Sequence, residues 1–511
     1  MMTTTAPGTA TTRGSGRDPR RWAALGVLML PVLLISVDNT VLSVALPEIA
    51  RALRPTSAEQ LWILDAYPLV LAGLLVTMGT LGDRFGRRRM LLIGATGFAL
   101  VSVVGAFAPS AGALIAVRAL LGVFGAMLMP ATLSLLRSVF TDRNERRMAI
   151  AVWASMFSAG AALGPVVGGL LLEHFAWGSV FLLAVPVLVP LLVLAPFFVP
   201  ESRDPAPGRI DGWSIALSMA AMIPVAFAIK EFAVHGFAVW PVASLAIGVV
   251  FGVLFVRRQL RAETPMLDMR LFARAGFSGA LVVNLLSVIA LVGFMYFVAQ
   301  HLQLIGGLSP MSAGLALVPG LVLMILAGLC VVPIATRVSP AIVIPGALVF
   351  SVIGYLLAAT VGLGAGVATI VIAFCALGIG IGAAETVSNE LVLANAPADK
   401  AGAASAVSET AYEIGALLGT TVLGGILTAL YRGGLLIPPG VDGASAAAAR
   451  ETLAGAMAVA DQLGPAGGAL RHAAAHAFDS GVLLTSVIGA VLVVAAGVVA
   501  ATTLRRSRNA S

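Results

Sequence analysis

Long apolar segments separated by short polar connections follow one another along almost the whole chain. A helix needs about 20 apolar residues to cross about 30 Å of hydrocarbon, and each segment has about that length. The pattern therefore predicts an all-α polytopic membrane protein with fourteen transmembrane helices. The predicted spans are 22–47, 60–82, 90–108, 112–136, 148–172, 178–199, 213–231, 239–256, 277–304, 312–335, 342–363, 366–395, 402–431 and 480–503.

The composition excludes a water-soluble globular protein. Of the 511 residues, 59% are hydrophobic and 11% are charged, whereas soluble domains have about 45–50% apolar and about 25% charged residues. The Thr-, Gly- and Arg-rich segment 1–21 resembles the start of a signal peptide, but the apolar run behind it is longer than the roughly 7–15 residues of a signal-peptide core. We therefore expect a retained, disordered tail over 1–21 and a short tail over 504–511.

Basic residues are concentrated on one side of the predicted bundle. With fourteen spans, 24 of the 31 Lys and Arg residues lie in the two tails and in the connections on that side. Cytoplasmic connections of membrane proteins carry such an excess of Lys and Arg. The distribution predicts that both termini are cytoplasmic. Because topology explains the net charge of +7, we expect no nucleic-acid partner.

Three ionisable residues of the first spans lie at one predicted depth. Asp38 lies about 24 Å from the inner edge along its helix, while Asp65 and Arg118 lie about 8 and about 9 Å below the outer edge. A charge in hydrocarbon costs at least about 2.5–3.5 kcal/mol, so it faces a cavity or a partner. A structural ion-paired cluster is one interpretation. We favour another for Asp38, proton exchange or contact with a cationic substrate while Arg118 acts as a switchable partner; for Asp65 both interpretations stay open.

Two glutamates lie four residues apart within the thirteenth predicted span, in "SETAYEIG". This spacing puts Glu409 and Glu413 on one face of the helix. Two carboxylates about 6 Å apart in a low dielectric cannot easily both be ionised, so we expect at least one to bind a proton near neutral pH. A cationic substrate would compete with that proton. Glu385, near the inner end of the twelfth span, is expected to line an inner vestibule.

Four short segments resemble motifs of the major facilitator superfamily. "GTLGDRFGRRRML" (Gly79–Leu91) resembles motif A, "RALLGVFGAMLMP" motif B, and "GAALGPVVGG" (Gly160–Gly169) the antiporter motif C. "VDNTVLSVALP" is similar to the first-helix motif of the fourteen-helix drug:proton antiporters within that superfamily. The resemblance extends from about residue 22 to residue 431 and implies the superfamily fold. Its parts are a six-helix half over 22–199, two inserted helices over 213–256, and a second six-helix half over 277–503.

The motifs also imply parts of a gate between two conformations. Asp83 is expected to face the N-terminal end of the thirteenth helix, and the arginines that follow it to cap a helix C-terminus. Glycines every four residues in motif C allow a neighbouring helix to pack closely. The implied gating residues are Gly79, Asp83, Arg84, Gly86, Arg87, Arg88, Gly164 and Pro165.

The resemblance implies a proton-coupled antiporter of a bacterial cytoplasmic membrane that exports amphipathic, mostly cationic drugs. The implied substrates are ethidium, quaternary ammonium compounds, acridines and fluoroquinolones, handled by a monomer that uses the proton gradient and no cofactor or metal. Asp38, Asp65, Arg118, Glu385, Glu409 and Glu413 would bind protons and substrate. Aromatic side chains near these acids either stack on planar cations or pack helices. They are Trp153, Phe157, Phe294, Tyr296 and Tyr412.

Other functions have weaker support in the sequence. An ATP-driven pump needs a phosphate-binding loop such as G-x-x-x-x-G-K-[ST], which the chain lacks. The sequence also has neither a metal-ligand cluster nor a G-x-S-x-G elbow, either of which would indicate an enzyme. A proton-coupled exporter of an endogenous metabolite, lipid or siderophore remains an alternative. The outer connection 432–479 is rich in Ala, and both a short amphipathic helix over the outer mouth and a mobile linker stay open.

Overall fold

The computed structural model describes residues 19–203, 211–235, 238–262, 265, 269–363, 366–395 and 401–504. Both predicted tails, apart from their innermost residues, lie outside this range. The described chain is built from helices. They are α1 (Pro19–Leu53), α2 (Ser57–Phe85), α3 (Arg87–Ala106), α4 (Ala111–Val139), α5 (Arg143–His174), α6 (Ser179–Leu182), α7 (Ala184–Phe198), α8 (Gly212–His235), α9 (Val239–Arg261), α10 (Ala275–Gln300), α11 (Pro310–Ala335), α12 (Pro340–Ala359), α13 (Val367–Ala394), α14 (Ala401–Leu418), α15 (Gly425–Gly434), α16 (Gly443–Glu451), α17 (Leu453–Gln462) and α18 (Gly468–Thr503).

Helices cover every one of the fourteen predicted segments. Within the described residues, 12 helices are long and apolar enough to cross a membrane; the segments of α5 and α8 do not meet that test, so a count of fourteen spans stays a prediction. Two segments become π-helical within their span, His301–Ile305 after α10 and Gly419–Gly424 between α14 and α15. The last long helix begins at Gly468, well before the predicted start at 480.

The helices form two halves that meet on one side of the bundle. We call the side where α1 begins and α18 ends the termini side, and the opposite side the far side. In the first half α2 packs on α4 and α1 on α5; in the second half α11 packs on α13 and α12 on α18. Val44, Leu46, Ala50 and Leu61, at the far-side ends of α1 and α2, belong to the apolar core of the second half. The two halves therefore share a core on the far side.

Glycine residues allow α5 to approach α1 within the first half and α11 of the second half closely. On α5, Gly160 and Gly164 face the backbone of α1, and an added Cβ at Gly164 would overlap the Thr40 hydroxyl. Across the interface between the halves, an added Cβ at Gly314 of α11 would overlap the carbonyl of Pro165. The motif C glycines thus pack α5 against α1, as close packing without side chains permits, and the next turn packs against the second half.

The two inserted helices pack against each other and against one edge of the bundle. Helix α8 contacts α2 of the first half and α15 of the second, and an added Cβ at Gly73 would overlap the Met219 side chain. At the termini side, Arg258 of α9 binds Asp211 at the start of α8, with Nη2 and Oδ1 2.7 Å apart. This pairing lowers the pKa of Asp211 well below its usual range. The ion pair therefore joins the start of α8 to the end of α9 on the termini side.

The outer connection contains two short helices. Asp442 caps α16, since its carboxylate accepts a hydrogen bond from the Ser445 backbone N–H at 2.6 Å, and Thr452 caps α17 in the same way through Gly455 at 2.9 Å. Helix α17 contacts both α18 and α1. Of the two interpretations left open by the sequence, the helical one matches the structure over these residues.

Candidate substrate and proton site

Arg118 carries a charge in the middle of the first half. Its side chain is 2% exposed, and its Nη1 lies 2.6 Å from Oδ2 of Asp38 on α1. Its Nε donates a hydrogen bond to the Ile63 carbonyl at 3.1 Å. Its guanidinium also lies over the ring of Tyr67, with Cζ 4.6 Å from the ring centroid. The structure thus brings together Asp38 and Arg118, which the sequence placed at one depth.

Asp65 is buried at the same level and contacts the other half of the molecule. It is 1% exposed, and its Oδ2 accepts a hydrogen bond from the Thr421 hydroxyl at 2.6 Å. Thr421 belongs to the π-helical segment Gly419–Gly424. Asp65 and Arg118 line one cavity between the halves, which encloses about 870 Å³ including the part open to the surface. Asp65 therefore connects α2 to the second half, whereas Asp38 neutralises Arg118 within the first half.

A larger vestibule lies between the halves nearer the termini side. It encloses about 1580 Å³, including the part open to the surface. Glu385 on α13 and Glu409 on α14 line it, as do Trp153, Phe157 and Tyr412. Two carboxylates and three aromatic rings in one cavity fit a planar cation, because the ring faces and the carboxylates all attract positive charge.

Glu413 occupies a different position from Glu409. One helical turn further along α14, it is 3% exposed, and its Oε2 has no hydrogen-bond partner among the described residues. Its carboxylate is close enough to Glu409, Arg118 and Asp38 to interact electrostatically with all three. The acids therefore form a series, from the vestibule through buried Glu413 to the Asp38–Arg118 pair.

The vestibule and the cavity around Asp65 share part of their lining. Tyr412 and Met324 line both spaces. The ring of Tyr412 meets that of Phe157 edge-on, with centroids 5.9 Å apart, which connects α14 to α5 across the interface. The two cavities are therefore neighbours at Tyr412 and Met324.

Two of the five predicted aromatic contacts lie elsewhere. Phe294 is fully buried in the core of the second half, where its ring stacks on Phe374 with centroids 5.6 Å apart; its expected substrate contact does not fit this position, because α10 turns it away from the interface. Tyr296 is 5% exposed and lines the cavity around Asp65 rather than the vestibule. Depth along a helix was predicted, but the direction of the side chain was not.

The residues of motif A bind the end of α7. Gly86 has φ +113°, and an added Cβ would lie 2.8 Å from the Glu201 carboxylate, so the turn between α2 and α3 requires glycine. Arg88 donates to the Val199 carbonyl at 3.0 Å, which caps the C-terminus of α7. Arg87 donates to the Ser202 hydroxyl at 3.1 Å.

The other gating residues have more varied surroundings. Arg84 lies over the ring of Phe85, with Cζ 5.9 Å from the centroid. Gly79 has only ordinary packing contact, with Pro130 3.5 Å from an added Cβ. The side chain of Asp83 lies outside the described residues. Its expected contact with the N-terminal end of the thirteenth predicted span, which is α14 in the structure, therefore stays a prediction.

The sequence analysis missed several polar residues of the site. Asn284 of α10 lines the vestibule together with Asn389 and Ser408, and the Tyr67 hydroxyl is buried without a hydrogen-bond partner among the described residues. The signal for Asn284 was present, since it is the only amide within the apolar run "SGALVVNLLSVIALVGF". The predicted site did not include Asn284, because it was built on ionisable and aromatic side chains. Among the described residues no group of His, Cys, Asp and Glu side chains can hold a metal ion.

Comparison with known proteins identifies the family. The Major Facilitator Superfamily profile matches residues 28–420. The chain belongs to the Major Facilitator Superfamily. The transporter is 54% identical to the multidrug efflux pump LfrA of Mycolicibacterium smegmatis, over 99% of this chain and 100% of LfrA. It is 36% identical to the methyl viologen resistance protein SmvA of Salmonella typhimurium, over 94% of this chain and 97% of SmvA.

Further relatives agree with this assignment. The tetracenomycin C resistance and export protein of Streptomyces glaucescens is 32% identical, over 96% of this chain and 93% of that protein. A bacterial homologue of the human lysosomal transporter Spinster, crystallised in an inward-facing, unoccupied conformation, has the same fold, with a TM-score of 0.67 at 18% identity over 96% of this chain and 99% of that one. The protein is therefore a multi-pass transporter of the bacterial inner membrane and not an enzyme.

Proposed function

We propose that the transporter is a proton-coupled antiporter that exports amphipathic, mostly cationic drugs and dyes. The observation that carries the proposal is the series of acids between the halves, in which Glu385 and Glu409 line the vestibule and Glu413 is buried behind them. The names of LfrA and SmvA, a multidrug efflux pump and a methyl viologen resistance protein, support the same substrate class.

We further propose that fourteen helices cross the membrane and that both termini are cytoplasmic. The excess of Arg and Lys on the termini side supports this orientation. The vestibule then opens to the cytoplasm, and the shared core closes the periplasmic side. The close packing of α5 against α11 at Gly169 and Gly314 on the far side, opposite the vestibule, supports this assignment of the conformation.

Coupling follows from competition for the same negative charge. A cation entering from the cytoplasm binds the ionised carboxylates of Glu409 and Glu385, and its charge favours their ionised form. Once the halves have rocked outward, protons bind these acids and release the cation. The vestibule carboxylates bind either the cation or protons, but not both at once. The transporter therefore carries the cation outward and protons inward.

Protonation also changes the contacts that hold the halves. A proton on Asp38 removes the partner of Arg118, and a proton on Asp65 changes its hydrogen bond with Thr421. An ion pair inside the bundle is stable only while both charges are present. We therefore assign Asp38 and Asp65 to the switching between conformations, and Glu409 and Glu385 to cation binding. The proton gradient supplies the free energy, without a cofactor.

The test is ethidium efflux from proteoliposomes with an acidic exterior and dye inside. Glu409→Gln and Asp38→Asn should each lower the initial efflux rate by about tenfold or more. Each change removes one charge interaction, and a loss of about 1.4 kcal/mol corresponds to a factor of ten. Glu390→Gln is the matched control, since Glu390 is an exposed glutamate on α13 and should keep the wild-type rate. Dye efflux that ignores the pH gradient in the wild-type protein would refute the antiport.

A second candidate is export of an endogenous metabolite, favoured by the relative that is named for export of tetracenomycin C. The same proteoliposomes distinguish the two. Proton-driven movement of tetracenomycin C without movement of ethidium would replace the cationic substrate class with this one.

A further inference from the structure

We propose that Asn389, held by Asn284 and Ser408, forms a hydrogen-bond donor subsite for an oxygen atom of the transported cation. The preferred ligands are then amphipathic cations that carry a carbonyl or ester oxygen near the positive charge. This inference rests on the proposed function for the cation itself and adds a second recognition element to the vestibule.

The amide of Asn389 has a fixed orientation. Its Oδ1 accepts a hydrogen bond from the Ser408 hydroxyl at 2.7 Å and another from Nδ2 of Asn284 at 3.1 Å. The two lone pairs of a carboxamide oxygen are then filled, and its two N–H donors remain. Among the described residues, the Asn389 amide nitrogen has no hydrogen-bond partner. Because Asn389 is exposed and lines the vestibule, these donors are accessible to a ligand there.

The donors lie close to the carboxylates that would bind the cation. Asn389 follows Glu385 by four residues on α13, and side chains at this spacing start about 5–6 Å apart on one face of a helix. Ser408 directly precedes Glu409 on α14. A ligand with its positive charge at Glu385 or Glu409 therefore reaches the Asn389 donors with an oxygen a few bonds away from the charge.

The cluster is more than a contact between helices. Asn284 is 1% exposed on α10 and its Oδ1 has no hydrogen-bond partner among the described residues. An unsatisfied buried polar group destabilises the folded protein, because its lost hydration is not replaced. An apolar residue at 284 would pack α10 against α13 and α14 without that cost. What Asn284 provides is a donor to Asn389, which keeps the Asn389 oxygen turned inward.

The test compares two cations in binding to the purified full-length transporter. Rhodamine 6G carries an ester carbonyl, whereas tetraphenylphosphonium has no hydrogen-bond acceptor. Asn389→Leu, which is nearly isosteric, should weaken rhodamine 6G binding by about tenfold, or about 1.4 kcal/mol, and leave tetraphenylphosphonium binding within twofold. Ser351→Ala is the matched control, because Ser351 bonds the Leu377 carbonyl at 3.0 Å between α12 and α13 and should change neither affinity.

A second variant tests whether a change in helix packing, rather than the loss of the donors, explains the result. Asn389→Asp keeps an oxygen for Ser408 and Asn284 but removes the donors, so the ratio of rhodamine 6G to tetraphenylphosphonium affinity should fall here too. Equal weakening of both cations by Asn389→Leu would reduce the cluster to a structural contact, and unchanged binding of both would exclude the subsite. Failure of the proposed function is a separate result, in which the wild-type protein binds neither cation.

Discussion

Arg118 combines nearly complete burial with three kinds of contact. A carboxylate, a backbone carbonyl and an aromatic face all meet its guanidinium. Removing one partner of a buried ion pair costs about 3–5 kcal/mol, since the other charge is left uncompensated. Removing both costs less than the sum of the two single changes, because no isolated charge remains. The pair is therefore strongly coupled, as the proposed switch requires.

We predict that Arg118→Ala and Asp38→Ala each lower the free energy of unfolding by about 3–5 kcal/mol. The double substitution should be less destabilising than the sum of the two, with a coupling of about 0.5–3 kcal/mol. Thermal or denaturant unfolding of the four proteins in detergent measures this cycle. Additive effects would mean that the two side chains do not depend on each other.

For single residues, the sequence predicts the depth along a helix but not the direction of the side chain. The helical rise gives depth, so Asp38 and Arg118 were correctly placed at one level. It does not give the direction in which a side chain points, which depends on the neighbouring helices. For that reason the burial of Phe294 and the bond between Asp65 and Thr421 were not foreseen. The separation of Glu409 and Glu413 into two environments also depends on neighbours beyond α14.

Among the elements, the segment α16–α17 connects the halves on the far side. The Glu451 carboxylate accepts a hydrogen bond from the Ser57 backbone N–H at 2.9 Å, at the start of α2. It also lies 3.3 Å from Nη2 of Arg432 at the end of α15. One side chain thus contacts the first residue of a helix in the first half and the last turn of a helix in the second.

We predict that Glu451→Ala favours opening on the far side. The change removes the side-chain acceptor of the Ser57 backbone N–H on α2, and because a hydrogen bond contributes about 0.5–1.5 kcal/mol net, the population open on that side should rise by about two- to tenfold. Spin-label distances between the far-side ends of α2 and α15 would measure it. Asp461→Ala is the control, because Asp461 pairs with Arg471 of the same half. An equal response in both variants would assign the effect to general loosening of the segment.

The elements were largely predictable because a transmembrane helix must be long and apolar. All fourteen apolar runs are helical, and motif A lies in the turn where its glycine is required. The segment α16–α17 was ambiguous because it is Ala-rich without a long apolar run, and hydropathy does not separate a surface helix from a linker. The two π-helical segments were not predicted, because hydropathy does not distinguish a π-helical turn from an α-helical one.

At the scale of the whole molecule, α5 and α11 diverge along the interface. On the far side their backbones are in close contact at Gly169 and Gly314. Toward the termini side the vestibule separates Phe157 of α5 from Leu329 of α11. The opposite interface is covered by α8, whose Met222 packs on Leu69 and Leu417. The halves therefore have a tight end and an open end, the geometry of a rocking transporter.

We predict that Gly314→Leu shifts the transporter toward states in which the far side is open. The added side chain overlaps the Pro165 carbonyl, and overpacking of this kind costs about 1–3 kcal/mol. Labelling of a far-side cysteine by a membrane-impermeant maleimide should become faster. Gly346→Leu is the matched control, as an added Cβ there meets no atom within 4 Å. Unchanged labelling in Gly314→Leu would show that this contact does not hold the far side closed.

The position of the acids between an open vestibule and a closed far side has an electrical consequence. A membrane voltage falls across the low-dielectric part of a protein, and here that part extends from the end of the vestibule past Tyr412 to the shared core on the far side. An elementary charge that crosses 100 mV changes its free energy by about 2.3 kcal/mol. Glu413, Asp38 and Asp65 lie within this region, so a proton that moves between them and the vestibule would carry its charge through part of the voltage.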